Sequence, residues 1–118
     1  MPYFITFEDH VEYALNVAEF TKQLKTRWSS VEFEDIDPEE GFYVLRWWLH
    51  EDNVDHVGGL HSDHQTIDLD DFPEGIAPFV VWFRSIVPSQ YRLMLAHDSS
   101  SDEIELTENL TADEIEKL

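Results

Sequence analysis

Pro78-Phe-Val-Val-Trp-Phe-Arg-Ser-Ile-Val87, followed by Pro88, is the stretch on which the fold class turns. Its Val80, Val81, Trp82 and Phe83 favour a buried strand. Its prolines favour a helix: proline suits the first helical position and is hostile just beyond the last. A helix here starts at or before Pro78, with a kink at that residue if it starts earlier. The neighbouring segments decide, because both flanks read as extended and a helix between them completes an α+β order.

Downstream, Tyr91 to Ala96 reads as a strand with Tyr91, Leu93 and Leu95 on one face and Arg92 and Met94 on the other. Ser99 to Asp102 is a turn by composition, and Glu103 to Leu106 a short strand. Thr111 and Glu114 form a capping box ahead of Ile115, which predicts a short C-terminal helix.

Upstream, Thr6 reads as an N-cap with Asp9 three positions on, opening a helix of about twenty residues. Phe7, Val11, Ala14, Leu15 and Ala18 form its stripe, widened by Val17, Phe20, Leu24 and Trp28. Acid at its start and Lys22, Lys25 and Arg27 near its end complement the helix dipole. Val31, Phe33 and Asp35 alternate with Glu32 and Glu34, a strand with one acidic face. Asp37 to Gly41 is a turn. Phe42 to Leu49 is apolar on both alternations except at Arg46, which predicts a strand covered on both faces. Val54 to Leu60, weakened by Gly58 and Gly59, and Gln65 to Leu69 complete the pattern, with a turn at Ser62 to His64. The expectation is one α+β domain over residues 1–118: a mostly antiparallel sheet of five or six strands with an N-terminal, a short central and a short C-terminal helix.

Charge carries the functional signal. The chain of 118 residues has 26 acidic residues against seven Lys and Arg, a formal net charge of -19. A magnitude of about 2–8 suffices for the solubility of a small domain. The acid falls in blocks at strand edges and loops: Glu32, Glu34, Asp35, Asp37, Glu39 and Glu40; then Asp63, Asp68, Asp70, Asp71 and Glu74; then Asp102, Glu103, Glu105 and Glu108. Such a surface disfavours nucleic acid and anionic membrane and attracts a basic protein partner. No run approaches the roughly 20 apolar residues of a membrane span, so a cytoplasmic protein is the expectation. The aromatic load of eight Phe, four Tyr and four Trp separates the chain from disordered acidic segments.

Chemistry is less well marked. Cysteine is absent, which removes thiolate chemistry and Cys-ligated zinc. His56, His61 and His64 lie among carboxylates at spacings compatible with convergence on a metal across a hairpin, but they match no metal motif. No serine sits in a nucleophile elbow, Gly58-Gly59 is no phosphate loop, and no catalytic residue or cofactor is nominated. Trp48 and Trp82 are expected in the core. Trp47, on the opposite alternation from Trp48, is nominated as an interface anchor ringed by acid.

In size, acidity, lack of cysteine and α+β build the chain resembles bacterial immunity proteins and inhibitors of secreted nuclease toxins. The stretch from Pro78 through Trp82-Phe83-Arg84 and Pro88 to Thr111–Ile115 has a similar flavour. The resemblance implies a basic partner whose active site or nucleic-acid groove is masked, and it carries over no site residue. Three other readings stand beside it: a salt-adapted domain, a small metal-binding protein or enzyme built on the three histidines, and a homo-oligomeric subunit in which a local apolar interface around Trp47 overcomes self-repulsion.

Overall fold

The computed structural model describes residues 2–8, 13–34, 36, 41–51, 53–97 and 103–117. Their elements run β1 (Pro2–Phe7), α1 (Val17–Arg27), β2 (Glu32–Glu34), β3 (Tyr43–Glu51), β4 (Val54–His61), β5 (Ile67–Asp70), α2 (Pro73–Ile86), β6 (Leu93–His97), β7 (Glu103–Leu106) and α3 (Ala112–Glu116). The class is α+β as the sequence predicts, with one more strand than expected. All seven strands join one antiparallel sheet in the order β2-β3-β4-β5-β1-β6-β7.

The added strand is β1, in the stretch where the sequence points to the start of a helix. Tyr3 and Ile5 are buried while Phe4 and Thr6 are half-buried, so residues 3–6 obey a period of two. β1 lies between β5 and β6, with Ile5 opposite both Ile67 and Leu95. The helix begins only at Val17, where the Asn16 side chain accepts from the Glu19 backbone N–H at 3.0 Å. Phe20 and Leu24, one turn apart, are its buried stripe. Val11 and Asp9 of the expected helix, the turn at Asp37 to Glu40 and the serine turn at 99–102 lie outside the described residues.

α2 settles the opening ambiguity in favour of the helix. It starts five residues before Pro78, with Pro73 in its first turn. The interior proline forfeits a hydrogen bond to the carbonyl of Glu74, an exposed residue that can give that carbonyl to water. Pro88 follows the C-cap Val87. α3 starts as its capping box predicts, with Thr111 accepting from the Glu114 N–H.

The helices share one side of the sheet. Phe79 of α2 sits at 5.6 Å from Trp47 of β3 and at 6.0 Å from Phe83, and Phe20 of α1 reaches the same indole at 5.6 Å. α3 packs on α2. Gly58 and Gly59, expected to weaken β4, instead accommodate rings on its two faces: a side chain at Gly58 would strike Trp47, and one at Gly59 would strike Tyr43.

Gly75 lets α2 approach the backbone of β4 closely. A Cβ there would lie 2.3 Å from the backbone oxygen of Asp55 in β4. Overpacking of this kind costs about 1–3 kcal/mol, and alanine returns only about 1 kcal/mol in helix propensity. Because the obstructing atom is backbone, the cost lies in the upper part of that range, about 2–3 kcal/mol, and Gly75→Ala should lower the free energy of unfolding in urea by about 1–2 kcal/mol. A variant as stable as wild type would show that α2 can lift from β4 at no cost.

Candidate interaction face

With the helices on one side, no described element covers the other. Strand register fixes what this bare face displays. One row across the sheet reads Glu34, Arg46, Gly59, Asp68, Phe4, Ala96 and Glu103. The next reads Glu32, Trp48, Val57, Asp70 and Pro2. Glu105 lies opposite Met94 on the same side. The strand carboxylates of all three acidic blocks thus point from one face: Glu32 and Glu34 on β2, Asp68 and Asp70 on β5, and Glu103 and Glu105 on β7. The guanidiniums beside them are paired with neighbouring acids, Arg46 with Glu34 at 3.7 Å and Arg92 with Glu105 at 2.8 Å.

Trp48 is a large apolar group of this face, 44% exposed, and the assignment of the two tryptophans is reversed from the sequence expectation. Trp47 is fully buried and cannot anchor a partner. It packs on Phe20 and Phe79 and donates its indole N–H to His56 Nε2 at 3.1 Å. β3 is therefore covered on one face only. The sequence held a signal for this: Arg46 and His50 share the alternation of Trp48, and a strand turns its polar alternation to water.

A polar cluster stands beside Arg46. Asp68 Oδ2 accepts from the Tyr43 hydroxyl and lies 3.0 Å from His61 Nε2. Burial, the hydrogen bond to Asp68 and the charge of Asp68 push the Tyr43 hydroxyl up to about 12, against the opposing pull of Arg46. The Arg46 guanidinium lies 4.9 Å from the Tyr43 ring centroid, and Phe42, 59% exposed, packs against both Tyr43 and His61. A β-bulge between Tyr43 and Leu45 turns Tyr43 and Arg46 to the same face.

The remaining candidates fall elsewhere. Asp63 caps its own turn, accepting from the N–H of Gln65 and Thr66 and from the Thr66 hydroxyl. Burial works to raise its carboxyl, but these hydrogen bonds outweigh it and hold the group below its usual range. Asp71 accepts from the Phe72 N–H at 2.7 Å. With Asp70, Tyr3, Phe72 and His97 it lines a cleft of about 380 Å³ at the end of the sheet. A larger cleft, about 480 Å³, lies on the helix side between Ser85, Ile86 and Leu110. Asp35, Asp37, Glu39 and Glu40 lie outside the described residues.

The histidine trio does not form a metal site. His56 faces the helices, 2% exposed, with its Nε2 occupied by Trp47. His61 points from the bare face to Asp68. His64 sits in the turn at φ 60°, with Nδ1 3.1 Å from the Leu15 carbonyl. The alternation of β4 separates the first two onto opposite faces, which the spacing in sequence concealed. Among the described residues no group of three His, Asp or Glu side chains is arranged to hold a metal ion, and no helix is long and apolar enough to cross a membrane.

Two polar residues are buried among the described residues, and the sequence reading gives the first of them no role. Arg84, 6% exposed, donates Nη1 to the carbonyls of Tyr91 and Leu106 and Nη2 to those of Val87 and Pro88. His56 has no hydrogen-bond partner of good geometry at Nδ1. Both are structural: they lie within or beneath the helix layer.

No family model, curated protein or solved structure matches this chain.

Proposed function

We propose that this protein is a binding module that captures a basic protein partner through the bare face of its sheet, in the manner of an immunity or inhibitor protein. The partner is nuclease-like or nucleic-acid-binding, and the complex masks its basic site. One observation carries the reading: the strand carboxylates of three acidic blocks far apart in sequence lie on the one sheet face that no described helix covers. A carboxylate array of this kind accelerates encounter with a cationic surface and makes the association rate fall with salt. Trp48 supplies an aromatic group that a docked partner would bury, and binding energy concentrates at such groups.

Capture from lysate at low and high salt, followed by identification of the retained protein, provides the partner for kinetic work. With that partner purified, Glu32→Gln combined with Glu34→Gln should slow association about tenfold or more at low ionic strength. Stability should change by less than about 1 kcal/mol, because the Glu34–Arg46 pair is at the surface. Unchanged association kinetics would remove β2 from the interface. Failure to recover any basic protein at either salt concentration would count against the whole reading. A fold that survives only in molar KCl would assign the charge to salt adaptation instead.

A further inference from the structure

The bare face has a strip two strands wide, with carboxylates on the strands at either side. Its floor is built from β3 and β4, where Trp48 lies opposite Val57 and Arg46 opposite Gly59. On one side β2 places Glu32 beside Trp48 and Glu34 beside Arg46. On the other, β5 places Asp70 beside Val57 and Asp68 beside Gly59. β2 and β5 are three strand spacings apart, about 14 Å at roughly 4.8 Å each.

We infer that the basic partner presents a cationic amphipathic α-helix to this strip, lying along β3 and β4 with its apolar stripe on Trp48 and Val57. The inference deepens the reading above and rests on it. A helix with its side chains is about 10–12 Å across, which fits between acid rows about 14 Å apart. Lysines or arginines flanking its stripe then meet Glu32 and Glu34 on one side and the exposed Asp70 on the other, while Asp68 stays engaged with Tyr43 and His61. The backbone argues the same way. The face of a sheet offers no free N–H or C=O, because its ladder bonds lie in the plane of the sheet. An element docked on that face must satisfy its own backbone, as a helix does, whereas an extended segment pairs at a sheet edge. Arg46, held between Glu34 and the Tyr43 ring, makes one end of the strip polar, the His50–Asp55 pair at 3.4 Å closes the other, and Trp48 with Val57 forms the apolar middle.

Three synthetic probes separate the possibilities: a 14-residue leucine–lysine peptide with leucine at helical period, an isomer of the same composition in strict alternation, and an oligolysine of equal charge. Calorimetric titration at low salt should show the helical-period peptide binding the wild-type chain at least tenfold more tightly than either of the others. Trp48→Gln should abolish that preference, and Val57→Thr should reduce it, with circular dichroism unchanged in both. Val57→Thr keeps a β-branched residue in the strand, so it tests the strip even if Trp48→Gln disturbs folding. Equal binding of all three peptides, or tighter binding of the alternating one, would overturn the helix inference and leave the basic-partner reading standing. No binding by any cationic peptide would overturn both.

Discussion

Replacing Arg84 with methionine is expected to lower the free energy of unfolding by about 3–5 kcal/mol, measured by urea denaturation. The guanidinium sits 6% exposed at the end of α2 and holds four carbonyl oxygens. Two belong to Val87 and Pro88, where the helix has run out of partners for its last carbonyls. The others belong to Tyr91, just before β6, and Leu106, at the end of β7. One side chain therefore fastens the helix terminus to the last two strands. Its contacts with Val87 and Leu106 are fully buried, and orphaning a buried acceptor costs about 1–3 kcal/mol. Methionine fills the space and returns none of the hydrogen bonds. Lysine keeps the charge but lacks the planar fork, so Arg84→Lys should recover less than half of the loss. Burial lowers the Arg84 pKa while Glu108 and Glu105 work against the shift. A loss below about 1 kcal/mol for Arg84→Met would show that the clamp contributes little beyond its own desolvation.

The second large effect is one of pH. Burial holds the His56 imidazole down to about 4 from an ordinary 6.5, with the Gly75 backbone and the charge of Asp55 only partly opposing it. Above pH 6.5 the ring is neutral in the folded and unfolded chains alike and stability does not depend on it. As pH falls from 6.5 to 4, the unfolded chain takes up a proton that the folded chain refuses. Stability then drops by about 1.4 kcal/mol per pH unit, roughly 3 kcal/mol in all. Below pH 4 both states are protonated and the loss stops growing. Carboxylates titrate over the lower part of the same range and relieve self-repulsion, so the comparison must be with a chain that differs only here. His56→Gln retains an acceptor for the Trp47 indole N–H and carries no titratable group. Wild type should lose about 3 kcal/mol more than His56→Gln between pH 6.5 and 4. Parallel stability curves for the two chains would show that the imidazole takes up its proton without leaving the core.

Much of the fold was legible because it rests on local chemistry. Thr111 with Glu114 announced α3, Pro88 announced the end of α2, and the alternation of Ile67 and Leu69 gave the buried face of β5. The misreadings have a common origin in partners distant along the chain. Thr6 and Asp9 imitate a capping box, and nothing nearby reveals that Ile5 meets Ile67 and Leu95. The two tryptophans are interchanged because Val44 and Trp48 make their alternation look apolar, although Arg46 and His50 lie on it too, and the packing of Phe20 and Phe79 on Trp47 fixes which one is inward. The acidic blocks were visible as composition. Their convergence on one face was not, since it depends on the order of seven strands. Asp63 and Asp68 show the limit most clearly: identical residues in one block, one closing a turn and the other shared by a tyrosine and a histidine.

The position of β1 also determines when this sheet can be completed. β2 to β5 form a continuous meander and β6 with β7 a hairpin, and β1 is the hydrogen-bonded seam between them. The strand made first during synthesis must wait until residue 93 and its successors emerge before it gains its second neighbour. Until then an edge stands open in the middle of the future sheet, a template for pairing with another chain. Loss of residues 2–7 would reopen that seam and leave two sheets with four edges where the native chain has one sheet with two. The burden of keeping nascent chains apart falls on mutual repulsion, and a chain carrying a net charge of -19 is well supplied with it.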